Sequence, residues 1–279
     1  MKKGVTIQDI ADALKLSRNT VSKALNGKYV PVRTRNAVLN AAVEMGYKSY
    51  GTVATAESAL THKKILVLSS RLILNINYYV VLMRGIETML ADYDIELIQF
   101  TLSSSSSFTK LANYLNNYRI DGIICIEFFE PDILPTLTDL GYPVVFLDFP
   151  LLSQDLRGNY DIILPESADA VKYLCMDLIR NKGCKTFGFV GDYRHCRSFY
   201  ERFLGMREAM FLCGLEADLR YSILNKDTFP YGNAKELRDA LQQLPALPDC
   251  FIAANDTIAL SLLEALRLMR KKVPDDVRV

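Results

Sequence analysis

At 279 residues, half of them hydrophobic, the chain is long enough for a small domain plus a body of two lobes. Its apolar runs are short, far from the ~20 residues that cross a bilayer, and no apolar signal segment opens it, so the reading expects a cytoplasmic protein and no membrane span. The formal net charge is only +1, yet residues 1–50 hold nine Lys/Arg against three acids, and the remaining 229 residues are acidic on balance. A basic head on an acidic body is the electrostatic footprint of a duplex-binding domain tethered to something else.

The first helix is predicted to start after Thr6. That residue caps it, with Asp9 as capping-box partner, and Ile7, Ile10, Ala11 and Leu14 share one face. Leu16 and Ser17 make a tight turn, and Ser17 caps a second helix whose Val21, Ala24 and Leu25 point to the same core. The outer face of the second helix presents Arg18, Asn19, Thr20, Ser22, Lys23 and Asn26. Side chains of this kind read base edges and hold phosphates. A longer third helix follows. Helices this short, with this little core, make sense as a helix-turn-helix. Periodicity alone would also fit a small bundle with a solvated face; the basic charge of the head favours the nucleic-acid reading. Arg18, Asn19 and Lys23 are the candidate base readers. Thr6, Ser17, Thr20, Ser22, Asn26 and Thr34 are the candidate contacts to the DNA backbone.

The order and spacing of V-T-I-x-D-I-A, S-x-x-T-V-S-x-x-L-N-G and T-R-x-x-V-x-x-A-x-x-x-G-Y, from Val5 to Tyr47, resemble the headpiece of the lactose-repressor (LacI/GalR) family. The resemblance implies a homodimer whose second helices enter the major grooves of a pseudo-palindromic double-stranded operator. Two positions depart from the pattern. Leu14-Lys15 stands where Ala-Gly is usual, so either the turn has no left-handed residue or Lys15 bears that strain. Pro31 stands where the third helix usually has a Ser-like cap, which a first helical turn tolerates. Past Tyr47 the family places a hinge helix that inserts a Leu into the minor groove. Here that segment lacks the usual Pro start and A-R-x-L core, and Leu60, in the helix-like stretch 56–60, is the nearest counterpart.

From Lys64 on, strands alternate with amphipathic helices. Strands are predicted at 65–70, 95–100, 121–126, 143–148, 160–164, 186–191, 219–224 and 249–254. Helices are predicted near 78–91, 108–118, 131–140, 167–181, 199–213, 232–243 and 256–270. Continuous apolar strands between helices mean parallel sheets covered on both faces. The long interruption at 149–159 separates two similar series, which predicts two Rossmann-like lobes. The serine tract 103–107 reads as a flexible surface loop. Gly188 to Asp192 lacks the P-loop spacing and takes a packing role. The six cysteines form no CxxC pair and read as buried free thiols, and the only histidines, His62 and His195, make a poor metal or catalytic pair.

The body is also similar to the same family. The matching segments are Y-Y-V-V-L-M-R-G-I-E (78–87), D-G-I-I (121–124), G-Y-P-V-V-F-L-D (141–148), the R-x-x-G segment around Arg202 and Ala254-Asn255-Asp256. The resemblance implies a periplasmic-binding-protein-like body that holds a small polar, sugar-like effector in the crevice outside the strand ends. Candidate effector residues are Ser70, Tyr78, Tyr79, Asp148, Arg202, Asn255 and Asp256. Carboxylates and amides take sugar hydroxyls, Arg clamps a hydroxyl pair, and Tyr rings offer an apolar plate. The plainer reading of each strand-end residue is a helix cap or turn former. Phe149 and Pro165-Glu166 stand where the family often has Arg and Asp-Asn, so the crevice is not a copy of a common sugar site.

The expected fold is an all-α helix-turn-helix headpiece (1–48), a hinge or linker (49–63) and an α/β body of two lobes (64–279) whose second lobe and return segment are incomplete. The expected function is sequence-specific transcription regulation, most simply repression, modulated by a carbohydrate-like effector. The competing reading is a small-molecule binding module with a vestigial head. An enzyme is not expected, because the chain offers no phosphate loop, triad spacing, metal cluster or cofactor motif.

Overall fold

The computed structural model describes residues 5–25, 30–47, 63–70, 76–102, 105–130, 132–151 and 156–279. Asn26 and the whole hinge stretch 56–60 with Leu60 lie outside these residues.

The head contains α1 (Ile7–Leu14), α2 (Arg18–Leu25) and α3 (Val32–Glu44). Its core is Ile10, Ala11, Val21, Ala24, Val30, Val38, Ala41 and Ala42. All are alanine or β-branched, and only Ile10 is larger than valine, so helices of eight residues pack closely but bury little area. At roughly 1.5–3 kcal/mol for a fully buried aliphatic side chain, Ile10 and Val21 carry much of the head's stability. Pro31 precedes α3, and its carbonyl accepts from the Arg35 amide at 2.9 Å. A proline there loses nothing, because the first turn of a helix has no partner for its N–H.

The body's first sheet has the order β2-β1-β3-β4-β5. It is built from β1 (Lys63–Ser70), β2 (Ile95–Leu102), β3 (Gly122–Ile126), β4 (Val144–Leu147) and β5 (Tyr160–Ile163). β1 pairs in parallel with both β2 and β3. Helices α4 (Ile76–Leu90), α5 (Ser105–Asn117) and α6 (Leu134–Asp139) connect the strands. Leu66, Val67 and Leu68 are buried in succession, as a strand covered on both faces requires. The reversal of strand order at β1 and β3 is a topological switch point, and such sheets bind ligands beyond the carboxyl ends there.

The second sheet pairs β6 (Phe187–Val190) in parallel with β7 (Cys250–Ala253). Single parallel bridges, Val190 with Ile223 and Cys250 with Arg278, extend it at each side. Helices α7 (Ala168–Lys182), α8 (Arg197–Leu212), α9 (Ala234–Leu241) and α10 (Asp256–Leu268) accompany it. Its core includes Phe187, Phe189, Phe203, Met206, Leu237, Phe251, Leu262 and Leu266. Gly205 sets the approach of α8 to α7, since a Cβ there would lie 2.3 Å from the Ala168 carbonyl oxygen. Gly188 and Gly191 serve packing in the same way, with added Cβ atoms 2.2 Å from the Tyr221 carbonyl and 2.4 Å from Ala254 Cβ.

The chain's contacts divide it into two units. The first is Met1–Ile126, Asp132–Phe146 and Gln154–Asp161; the second is Glu127–Pro131, Leu147–Ser153 and Ile162–Val279. β3 and β4 therefore belong largely to the first unit, and each is followed by a short segment of the second.

Two expectations are corrected. The strand at 219–224 is a 3-10 turn at Leu219–Tyr221 with one bridge at Ile223. Asp218 accepts from the Arg220 amide at 3.0 Å, and that local bond competes with extended pairing. The serine tract is not all loop: α5 begins at Ser105. Leu111 and Leu115, both buried, seed that helix, and it extends back into the serines.

Candidate functional site

In the head, every cap read from the sequence forms. The Thr6 hydroxyl accepts from the Asp9 amide at 3.3 Å, and the Asp9 carboxylate accepts from the Thr6 amide at 2.7 Å. α1 ends at Lys15, whose backbone is left-handed (φ 54, ψ 40). Of the two possibilities for this turn, Lys15 bears the strain. Ser17 Oγ accepts from the Thr20 amide at 3.0 Å and lies 2.8 Å from Thr20 Oγ1. This pair fixes the start of α2 and leaves Arg18 and Asn19 exposed beside it. Lys23, about one turn further on, is exposed as well, whereas Thr20 and Ser22 are half-buried. Thr6 and Ser17 are exposed, and Thr34 is half-buried in the first turn of α3. The surface of α2 thus carries three polar or cationic side chains that can face a groove, with hydroxyls around them.

The effector candidates fall into two groups. Ser70, Tyr78 and Tyr79 belong to the first unit. Ser70 pairs with Leu102 in the β1–β2 ladder. Tyr78 and Tyr79 lie in the first turn of α4, Tyr78 exposed and Tyr79 half-buried. Burial holds the Tyr79 phenol above its ordinary range, against a hydrogen bond with Ser69 that pulls it down.

Asp148, Arg202, Asn255 and Asp256 belong to the second unit, around the ends of β7 and α8. Asp148 is buried, with a left-handed backbone (φ 63). Its carboxylate accepts from the Phe149 amide at 2.7 Å, the Ser198 hydroxyl at 2.5 Å and the Ser198 amide at 3.4 Å. A carboxylate offers about four acceptor directions, so most of this one is committed to the protein. One turn along α8 from Ser198, Arg202 Nη1 donates to the Ala254 carbonyl at 2.5 Å, and its guanidinium lies 5.8 Å from the Phe199 ring centre. Asn255 caps α10, its Oδ1 accepting from the Ile258 amide at 2.9 Å. Its amide NH₂ is not used by that cap. Asp256, the first residue of α10, is exposed. Arg202 therefore reaches the carboxyl end of β7 at the residue before Asn255, and Asp148 bonds Ser198 one turn away on the same helix.

Sequence reasoning missed three neighbours. Ser198 holds Asp148. Glu127, the first residue after β3, has a left-handed backbone (φ 48). Burial pushes its carboxyl up to about 7; His195 opposes the shift and Asp148 adds to it. His195 pairs through Nδ1 with Asp227 and packs edge-on against Phe129 at 4.6 Å. The rule that selected Asp148, a polar residue ending a strand, selects Glu127 equally. The His195–Asp227 and Asp148–Ser198 pairs span 32 and 50 residues, and no local signal marks them.

Comparison with known proteins agrees with the two-part organisation of head and body. Residues 6–49 match the model of bacterial regulatory proteins of the lacI family, and residues 176–279 match the periplasmic binding protein-like domain. The transcriptional regulator CelR of Thermobifida fusca is 27% identical over 278 residues, which cover 98% of this chain and 80% of CelR. The regulator GalR of Streptococcus thermophilus is 27% identical over 285 residues, covering 98% of this chain and 81% of GalR. Among solved structures, a CelR–cellobiose complex superposes with a TM-score of 0.66 at 24% identity, covering 98% of this chain and 81% of that one. A helix-turn-helix head on a periplasmic-binding-protein-like body defines a DNA-binding transcriptional regulator. The chain carries a lacI-family helix-turn-helix domain and a periplasmic-binding-protein-like domain, its relatives are LacI/GalR-type regulators, and the reading of it as a binding module with a vestigial head is set aside. Among the described residues, no helix is long and apolar enough to cross a membrane.

Proposed function

We propose that this regulator is a homodimeric repressor acting in the bacterial cytoplasm at the nucleoid, without catalytic activity of its own. Its chain divides into head (1–48), hinge (49–63) and effector-binding body (64–279). Arg18, Asn19 and Lys23 read bases in the major groove, while Thr6, Ser17, Thr20, Ser22, Asn26 and Thr34 hold the DNA backbone. The observation that carries this reading is the doubly capped α1–turn–α2 unit, which leaves Arg18 and Asn19 exposed at the start of α2.

The proposed effector is a small polar, sugar-like molecule. Arg202 and the Asn255 amide contact it from the second unit together with Asp256 and Asp148. Ser70, Tyr78 and Tyr79 are a second proposed set of effector residues, all within the first unit. CelR has been solved with cellobiose, which makes a β-linked disaccharide the first compound to test. The effector shifts operator affinity by no more than its differential affinity for the two states allows.

The test is selection of duplexes from a random library by the full chain, followed by titration of a sugar panel against the selected operator. A pseudo-palindrome enriched by the wild type, and lost with Arg18→Ala, is the expected result. Enrichment of no common sequence overturns the specific-regulator reading.

A further inference from the structure

The turn between α1 and α2 keeps a lysine where the backbone suits a glycine. Lys15 sits at φ 54 and ψ 40, where an L side chain crowds the following carbonyl and glycine does not. The backbone there makes no use of the lysine: its amide donates to the Ala11 and Asp12 carbonyls, as a glycine amide would. The side chain is exposed. Its ammonium makes no hydrogen bond or ion pair among the described residues, and the nearest acid in sequence, Asp12, accepts from Gln8 Nε2 at 2.8 Å. Strain kept without an internal return points outside the fold.

The surroundings say where. Lys15, Arg18 and Lys23 are all exposed, and no acid falls between Asp12 and Glu44. Lys15 precedes Arg18 by three residues, so their Cα atoms are within about 10 Å. In a helix-turn-helix the first residues of the second helix meet base edges, and phosphates border that groove at one charge per ~1.7 Å of duplex axis. A compact ammonium on a four-carbon stem, at the entry to that helix, is suited to such a phosphate.

We propose that Lys15 is a DNA-backbone contact, held by the strained turn so that its ammonium binds the phosphate strand beside the groove that α2 enters, at the expense of headpiece stability. The inference rests on the head binding DNA through α2. It adds a residue that belongs to neither helix and that the family pattern, with glycine there, does not supply.

The experiment uses the full chain and a duplex of random sequence, so no operator need be known. Binding is measured across a salt series for wild type, Lys15→Gly and Lys15→Arg, with thermal unfolding of each. Lys15→Gly is expected to flatten the slope of log affinity against log salt by about 0.9, the value of one phosphate contact. Its affinity at moderate salt should fall several-fold, with no loss of thermal stability. Lys15→Arg should keep the wild-type slope. An unchanged slope in Lys15→Gly, beside a salt-dependent wild type, overturns the proposal. So does an equal loss of slope in Lys15→Arg, because the charge would then not be what matters. A wild type that does not bind the duplex at all overturns the DNA-binding reading itself, and this proposal with it.

Discussion

Glu127 carries an acid–base consequence that can be measured without any ligand. Its carboxyl is pushed up to about 7 by burial, so between the ordinary glutamate value and about 7 the folded chain holds more protons than the unfolded one. Stability from this group is therefore fully present at acid pH and is lost as pH rises through about 7. Glu127→Gln should remove that slope, gaining on the wild type by on the order of 1–2 kcal/mol between pH 5 and pH 8, after allowance for the solvent the group still meets. Denaturant midpoints of both proteins across that range check it, and parallel pH profiles would refute it. Arg18 makes the corresponding prediction for recognition. Arg18→Ala should cost ~1–3 kcal/mol on the selected operator and relax preference at one base position. Equal losses on operator and random duplex would reassign Arg18 to the backbone.

At the level of elements, legibility follows locality. The starts of α1, α2 and α10 are readable because Thr6, Ser17 and Asn255 bond to amides three residues away, within one turn of sequence. The strand at 219–224 was misread because Asp218 closes a turn that hydrophobic alternation does not reveal. The site is legible only in part. Asp148, Arg202 and Asn255 are marked as strand-end or motif residues, but the engagement of Asp148 by Ser198 depends on chain 50 residues distant. That engagement predicts an effect on α8. Ser198→Ala removes a hydroxyl donor to a buried carboxylate and should destabilise the body by roughly 1–3 kcal/mol. Ser198→Thr, which keeps the hydroxyl, should recover much of it. The head is more fragile. With Ile10 the largest of its buried side chains, Ile10→Ala should cost ~2–5 kcal/mol and abolish binding to any duplex while the body stays folded, as circular dichroism and duplex binding together would show.

For the whole molecule, charge and connectivity set what is transmitted. The basic surplus lies in residues 1–50, so affinity for any duplex should fall steeply with salt through counterion release. Arg202 lies in the second unit, more than 130 residues from the head in sequence. Arg202→Ala should leave effector-free operator affinity nearly intact and abolish the response to the effector. Loss of operator affinity without effector would show instead that Arg202 holds the body together through its bond to the Ala254 carbonyl.

The six thiols give the chain a built-in clock for its own opening. Cys125 is the one cysteine of the first unit, and Cys175, Cys184, Cys196, Cys213 and Cys250 belong to the second. All are buried except Cys213, which is half-exposed, and burial pushes the Cys125, Cys175, Cys196 and Cys250 thiols well above the range where thiolate forms at neutral pH. Alkylation of a buried thiol therefore waits for the backbone around it to open. A native sample should take one label quickly, at Cys213. In a Cys213→Ala chain every later label then counts an opening event, and peptide mapping by mass spectrometry assigns each to one unit. Cys175, Cys196 and Cys250 should be modified together if the second unit opens as one body, and at separate rates if it frays element by element.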